Sequence, residues 1–511
     1  MNAFKRISAI VLAVGMLASI AACGKTALDP AETTSGQAEE ATLAATEATD
    51  TTAYEENSAY DPNGYLKDDL PDELDYGKDK VSVLYWDTER PEFEILEQTG
   101  SLVNDAIYQR NLNVEERLNV DLVFSQQKGS SAYIPQFVQH VQTAYQAGSR
   151  DYDIVTAYSR TAGSLTTSGL YYNINSIENN YIDLEKPWWP DCISDTVTIG
   201  DAIYFITGDC STNVLHLMYT MWFNKDLLEQ YHLEYPVDLV RQNKWTLDKL
   251  FEMTADTYQD LNSNGQKDDE DFFGFVGVIY GLDAFYTGSG LRLVETDDEN
   301  MLKISPDFGS EKTINLVDML GERCTSTDWN IKSSTGLATL QNAFRDGRVL
   351  FCQNRTYFAE LKLLDVDFSY GLVPTPKYDE NQEDYVSVLA NPITLYGIMA
   401  DAEVSRLSEL TAVLECWGSE AYRLTTPALF ETNMKLKYSE TSDESEMFDI
   451  VRNTIFLDLG RVFSQDLQYM SEIPSSTAAE GGSWATKYAQ YQRPLEKGIQ
   501  KVVSTIRSFQ G

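Results

Sequence analysis

Residues 260–271 read Asp-Leu-Asn-Ser-Asn-Gly-Gln-Lys-Asp-Asp-Glu-Asp, with side-chain oxygens at alternate places and a glycine sixth. Asp260, Asn262, Asn264, Gln266 (through its backbone carbonyl), Asp268 and Asp271 fall at positions 1, 3, 5, 7, 9 and 12 of an EF-hand-type loop. Gly265 permits the sharp turn between them. Such a set suits a hard cation that seeks oxygen, and the spacing predicts calcium. Position 12 holds Asp271 where a glutamate usually supplies two oxygens, so a full coordination shell does not follow from the spacing. The alternative is an acidic turn that binds nothing. A bound ion here is expected to pin a surface segment and not to touch a substrate.

Catalytic constellations are scarce. The chain has three histidines, His140, His216 and His232, and none stands beside a nucleophile motif. GxSxG, HExxH and glycine-rich phosphate loops do not occur. A glycoside hydrolase needs only two carboxylates, and 79 Asp and Glu residues leave that class open. The expected role is binding without turnover.

The elements that would position a site follow from periodicity. Val81, Val83 and Tyr85 alternate as in a strand that ends at Trp86 and Asp87. Val103, Ile107, Val114 and Leu118 recur at helical spacing, and Val120, Leu122 and Phe124 alternate again. Ile134, Phe137, Val138, Val141 and Tyr145 mark a second helix, before a strand at Ile154 and Val155. This is a βαβαβ pattern with a parallel sheet, in which ligands sit beyond the carboxyl ends of the strands. At 511 residues the chain is too long for one core, and two α/β lobes are expected. Its net charge, 39 − 79 = −40, disfavours nucleic acid and anionic lipid as partners.

The amino terminus supplies an address. Lys5 and Arg6 precede an apolar run over residues 7–22, too short for the ~20 residues of a membrane-spanning helix. The run ends Ile20-Ala21-Ala22-Cys23-Gly24, which resembles a lipobox, the motif whose cysteine is acylated. Residues 1–22 are therefore read as a lipoprotein signal peptide and Cys23 as the lipidation site; an ordinary signal peptide with an incidental cysteine is the alternative. Residues 23–77 are rich in Glu, Asp, Thr and Ala with few large aliphatics, and read as an acidic, disordered tether.

Between residues 200 and 250 a short β-rich segment (203–207) precedes an apolar run (214–223) read as a strand. FNKDLLEQ follows, with Asn224 as a helix cap, and then a proline and WTLDKL, with Thr246 as the next cap. This order resembles the crossover of bacterial extracellular solute-binding proteins of family 1. These are the carbohydrate-type ABC-transporter lipoproteins, of the maltose-binding type. RNLNVEERLNV (110–120), IDLEKPWWP (182–190) and LKYSETSDESEMFDIV (436–451) are similar to a lipoprotein subgroup of that family.

The resemblance, over residues 78–509, implies a two-lobed periplasmic-binding-protein-like α/β fold. Each lobe is then a mixed or parallel sheet flanked by helices, and a crossover-strand hinge joins the two. Lobe 1 would comprise about 78–213 and 390–460, and lobe 2 about 220–388, with carboxyl-terminal helices over 461–511. The implied function is capture of an oligosaccharide for an ABC permease on the outer face of the cell membrane, by an anchored monomer. A peptide or other polar solute is the alternative. Sugar sites combine aromatic platforms with Asp, Asn and Arg. Strand ends and crossing loops give Trp86, Asp87, Tyr158, Arg160, Asp209, Tyr286, Arg355, Tyr357 and Asn391 as ligand candidates. Trp188, Trp189, Trp245 and Trp417 are assigned to packing, and the five cysteines after Cys23 are read mainly as free buried thiols.

Overall fold

The computed structural model describes residues 59–88 and 90–510. The signal peptide, Cys23 and most of the tether lie outside the described residues. The first lobe opens with β1 (Asp79–Trp86), β2 (Val120–Gln127) and β3 (Ile154–Tyr158). β1 sits between the other two and pairs in parallel with both, Asp79 opposite Val120 and Val83 opposite Ile154. Burial on both faces suits this central place, since Val81 and Val83 on one side and Leu84 and Trp86 on the other are all buried. Helices Leu102–Leu118 and Ile134–Ala147 make the two crossovers. The first stops at Asn119, whose φ of 51° is tolerated by asparagine and whose N–H returns to Glu115 O.

The second lobe contains β4 (Tyr219–Asn224), β5 (Phe273–Val278), a small hairpin of β6 (Val294–Thr296) and β7 (Leu302–Ile304), β8 (Trp329–Lys332), β9 (Val349–Arg355) and β10 (Tyr370–Pro374). Its five-stranded sheet has the order β10-β4-β9-β5-β8. β5 pairs in parallel with β8 and β9, while β4 runs antiparallel to β9 and β10. The expected caps form: Asn224 Oδ1 accepts Leu227 N at 3.0 Å and Thr246 Oγ1 accepts Lys249 N at 3.3 Å.

Then come β11 (Ser387–Val388), β12 (Thr394–Ile398) and β13 (Ile455–Phe456). β12 joins the first sheet beside β3, antiparallel, giving the order β12-β3-β1-β2. The fold is therefore two mixed sheets flanked by helices, and open. Met218 bridges to Leu389, and Ala390 N donates to Leu217 O at 2.9 Å, so the outgoing and returning connections run side by side. A third connection lies beside them, where β13 pairs with β11.

Three expectations change. Residues 203–207 form no strand; they meet the first sheet at a single bridge, Ile206 to Tyr396, and through Thr207 Oγ1, which donates to Thr394 O at 2.7 Å. The apolar run 214–223 divides into a helix, Thr212–His216, and β4, because both can be fully buried and periodicity does not separate them. Helix Ser442–Asn453, within the segment assigned to lobe 1, packs on β10 and on helix Pro236–Arg241 of lobe 2, where Lys225 meets Glu444 at 2.7 Å. The final helix, Trp484–Gln510, touches both lobes.

Trp188, Trp189, Trp245 and Trp417 are buried core residues, and Cys192, Cys210, Cys324, Cys352 and Cys416 are free thiols. Among the described residues no helix is long and apolar enough to cross a membrane.

Candidate ligand cleft

β1 and β3 of the first lobe end at Trp86 and Tyr158, and β9 of the second ends at Arg355. All three are carboxyl ends of strands with a parallel partner, and they converge. Trp86, Asp87, Tyr158, Arg355 and Tyr357 line one cavity of about 210 Å³, together with Arg90, Ser130, Ser131, Asn213, Leu217 and Pro392. The walls come from both lobes and from the connection between them. Two wider hollows, about 740 Å³ each, are shallow surface depressions on the outer side of lobe 1 and gather no such convergent set.

The first-lobe wall is held by a chain of hydrogen bonds. Trp86 packs edge-on to Tyr158 at 5.6 Å and donates from Nε1 to Thr394 Oγ1 at 2.9 Å. Thr394 in turn donates to Glu92 at 2.6 Å, and Glu92 also accepts from Asn213 Nδ2 at 2.8 Å. Burial pushes the Glu92 carboxyl up to about 7, against the opposing bonds from Ser211 and Thr394. The second-lobe wall is aromatic and cationic. Arg355 lies beside the rings of Tyr219, Tyr280 and Tyr357, and Arg90 crosses from the first lobe to sit 4.3 Å above Tyr357.

Next to this cavity is a buried polar layer. Arg160 pairs with Glu472, and Arg461 pairs with Asp283 at 2.7 Å with both side chains 3 % exposed or less. Burial raises the pKa of the Tyr158 hydroxyl, and the charges of Arg160, Arg461 and Arg355 oppose the rise. Arg160 Nε, Asp283 Oδ1, Arg461 Nη2 and both polar atoms of the Gln353 amide are buried without a hydrogen-bond partner among the described residues. Such atoms are costly unless something polar meets them.

The remaining candidates divide. Asn391 adjoins Pro392 at the cavity, and its carbonyl accepts from Ser159 Oγ at 2.6 Å. Asp209 does not reach the cleft. It lies in a separate cavity of about 330 Å³ with Trp189 and Tyr422, paired to Arg452 at 3.2 Å. The reason is Gly208: a Cβ there would stand 2.3 Å from Trp188 O, so the loop folds tightly under the two tryptophans. Tyr286 is also away from the cavity, 2 % exposed inside lobe 2, its hydroxyl donating to Arg292 O at 3.1 Å. Arg90, Ser130, Ser131 and Asn213 were not anticipated, because no periodic or motif signal distinguishes them.

The acidic loop lies in lobe 2, between helix Leu247–Met253 and β5. Gly265 has φ 74°, as the turn requires, and Asp260 accepts from Gly265 N at 2.7 Å and Asn264 N at 3.2 Å. Asn262 and Asn264 both reach Asp268 through their amides. Asp271 turns inward, accepting from Tyr258 OH at 2.9 Å and Asp268 N at 2.8 Å. The loop's polar side chains are tied to one another by these bonds, and Asp271 is the most deeply committed of them. Among the described residues no group of three or more His, Cys, Asp or Glu side chains is gathered as a metal site.

Solved structures share this architecture. A galacto-N-biose/lacto-N-biose I-binding protein of an ABC transporter from Bifidobacterium longum, in complex with lacto-N-biose, is 10 % identical with a TM-score of 0.54, covering 85 % of this chain and 98 % of that one. A cyclic alpha-maltosyl-1,6-maltose binding protein from Arthrobacter globiformis is 13 % identical, also at 0.54, covering 84 % and 100 %. The chain has the fold of extracellular carbohydrate-binding proteins. A maltose-binding periplasmic protein from Listeria monocytogenes, in complex with maltose, matches at 13 % identity and a TM-score of 0.53, over 83 % of this chain and 98 % of that one. No protein-family model and no curated sequence matches the chain.

Proposed function

We propose that this chain is the solute-capturing component of an ATP-driven importer, binding an oligosaccharide between its lobes and presenting it to a membrane permease without chemical change. The observation that carries this reading is the cavity at the strand ends, walled by aromatic and hydrogen-bonding side chains from both lobes. Sugar-binding neighbours of the same fold support the ligand class. At about 210 Å³ the cavity is below the ~300–1,000 Å³ typical of ligand pockets, so an oligosaccharide needs the lobes to part. Opening is assigned to the paired connections at Leu217 and Ala390, and closure to a ligand that bridges the lobes. Titration calorimetry with a panel of oligosaccharides and peptides, with chromatography of the recovered ligand, tests this. Saturable sugar binding with the ligand unaltered is expected; cleaved product would point to a hydrolase, and peptide-only binding to a different solute.

Cys23 is proposed to carry the lipid that holds the protein at the outer face of the membrane. Cys23→Ser is expected to move it from the membrane fraction to the soluble one, or to leave the signal uncleaved. Unchanged metabolic labelling with a palmitate analogue would refute the anchor.

The loop at residues 260–271 is proposed to hold a structural calcium ion, with Asp260, Asn262, Asn264, the Gln266 carbonyl, Asp268 and Asp271 as ligands. Calcium at 100 times its Kd should stabilise the fold by about 2.7 kcal/mol. Asp260→Ala is expected to abolish that gain while leaving sugar affinity nearly intact. Identical melting curves in chelator and in millimolar calcium would remove the site.

A further inference from the structure

The charge of the cleft runs against the charge of the chain. The protein carries −40 overall, yet the two cations on the cavity wall, Arg90 and Arg355, form no ion pair among the described residues. Their neighbours behave differently, because Arg160 and Arg461 are each committed to a carboxylate. The one acidic side chain on the wall, Asp87, is engaged by Gly129 N at 2.7 Å. Glu360 is the nearest further carboxylate to Arg90; its Oε2 stands 3.5 Å from His216 Nε2 without a hydrogen-bond partner among the described residues, and burial favours the neutral imidazole.

Each guanidinium instead lies against aromatic rings. Arg355 is 5.6 Å from the Tyr219 centroid and 5.8 Å from Tyr280, and Arg90 is 4.3 Å from Tyr357. Ring faces orient a guanidinium and shield it from water, and Arg355 also bonds to the Tyr219 hydroxyl, so the remainder of its donor edge is what a ligand can meet. A planar carboxylate is the natural complement of that edge. Ser130 and Ser131 add hydrogen-bonding hydroxyls to the same wall, just before helix Ile134–Ala147.

From these we infer that the cleft takes an acidic saccharide, an oligosaccharide containing uronate residues, with one carboxylate held between Arg90 of the first lobe and Arg355 of the second. This rests on the saccharide reading above and adds the charge. It also explains closure, since the carboxylate joins cations that belong to different lobes.

The test is calorimetry on the detergent-solubilised full chain. Di- to tetrasaccharides of galacturonate, glucuronate and mannuronate are each compared with their methyl esters, with maltotriose, and with a 6-sulfated neutral disaccharide. At least one uronate is expected to bind ten-fold or more tighter than its ester, with affinity falling as salt rises. Arg355→Gln should erase the difference between acid and ester, and Arg355→Lys should restore part of it. Arg90→Gln, in a loop, provides the second variant if Arg355→Gln misfolds. Equal or tighter binding of the ester or of maltotriose would overturn the acidic ligand while leaving sugar capture standing. Preference for the sulfated sugar would overturn the carboxylate, and an Arg355→Gln variant that weakens acid and ester alike would remove Arg355 as the reader of charge. Absence of binding by every saccharide would overturn both readings.

Discussion

Trp86→Ala is expected to destabilise the protein by about 3–5 kcal/mol and, at the same time, to weaken ligand binding. A ligand-stacking aromatic in an open cleft would normally be removable at little cost to the fold. Trp86 is only 5 % exposed, however, and its ring packs on Tyr158 while its indole N–H is bonded to Thr394. Truncation leaves a cavity in the first-lobe core and removes a donor from the Thr394–Glu92 chain, so Asn213 on the cavity wall loses its support. Trp86→Phe should recover most of the packing but not the hydrogen bond. Urea denaturation followed by tyrosine and tryptophan fluorescence measures this. A midpoint equal to that of the wild type would mean that the side chain serves only the ligand.

The second large effect is expected at the Arg461–Asp283 pair. Asp283→Ala leaves a buried guanidinium without its carboxylate, at a cost of about 3–5 kcal/mol. The partner loss matters more than the pair itself, so Asp283→Leu combined with Arg461→Met should be near neutral or stabilising. Asp283 belongs to lobe 2, whereas helix Leu459–Val462, which carries Arg461, packs on helix Ser159–Thr167 of lobe 1. The single variant should therefore loosen the arrangement of the lobes, and small-angle scattering should record a larger radius of gyration. If Asp283→Ala melts with the wild type, the pair carries no net stabilisation.

Much of the architecture was legible because it is local. Val81 and Val83 flank the partly exposed Ser82, though Leu84 is buried as well, and the helix over residues 134–147 buries Ile134, Phe137 and Val141 at its expected spacing. The rule that ligands meet carboxyl ends of strands brought Trp86, Tyr158, Arg355 and Tyr357 to one cavity from residues up to 271 positions apart, 86 to 357. The same rule failed for Asp209 and Tyr286. Both adjoin connecting segments, but the side on which such a segment folds depends on contacts such as Gly208 against Trp188, which sequence does not display. Arg90 sits in a loop, where no period marks a side chain as inward. Exposure was illegible as well. Trp86, Tyr158 and Tyr357 line the cleft and yet are at most 5 % exposed, because Trp86 and Tyr158 pack on each other and Arg90 covers Tyr357.

The placement of β12 governs how the chain can mature. Every strand of the second sheet lies between residues 219 and 374, so that sheet is complete once a single stretch is available. The first sheet must wait for Thr394–Ile398 to arrive beside β3, 236 residues further on (394 − 158). Until then β3 presents an edge made of Ile154 to Tyr158, all destined for burial, with nothing paired to it. Long-range pairing of this kind is slow, and an unpaired apolar edge invites association with other chains. The part synthesised first should consequently consolidate last, with β3 and β12 gaining protection together. Pulse-labelling hydrogen exchange during refolding would display that order.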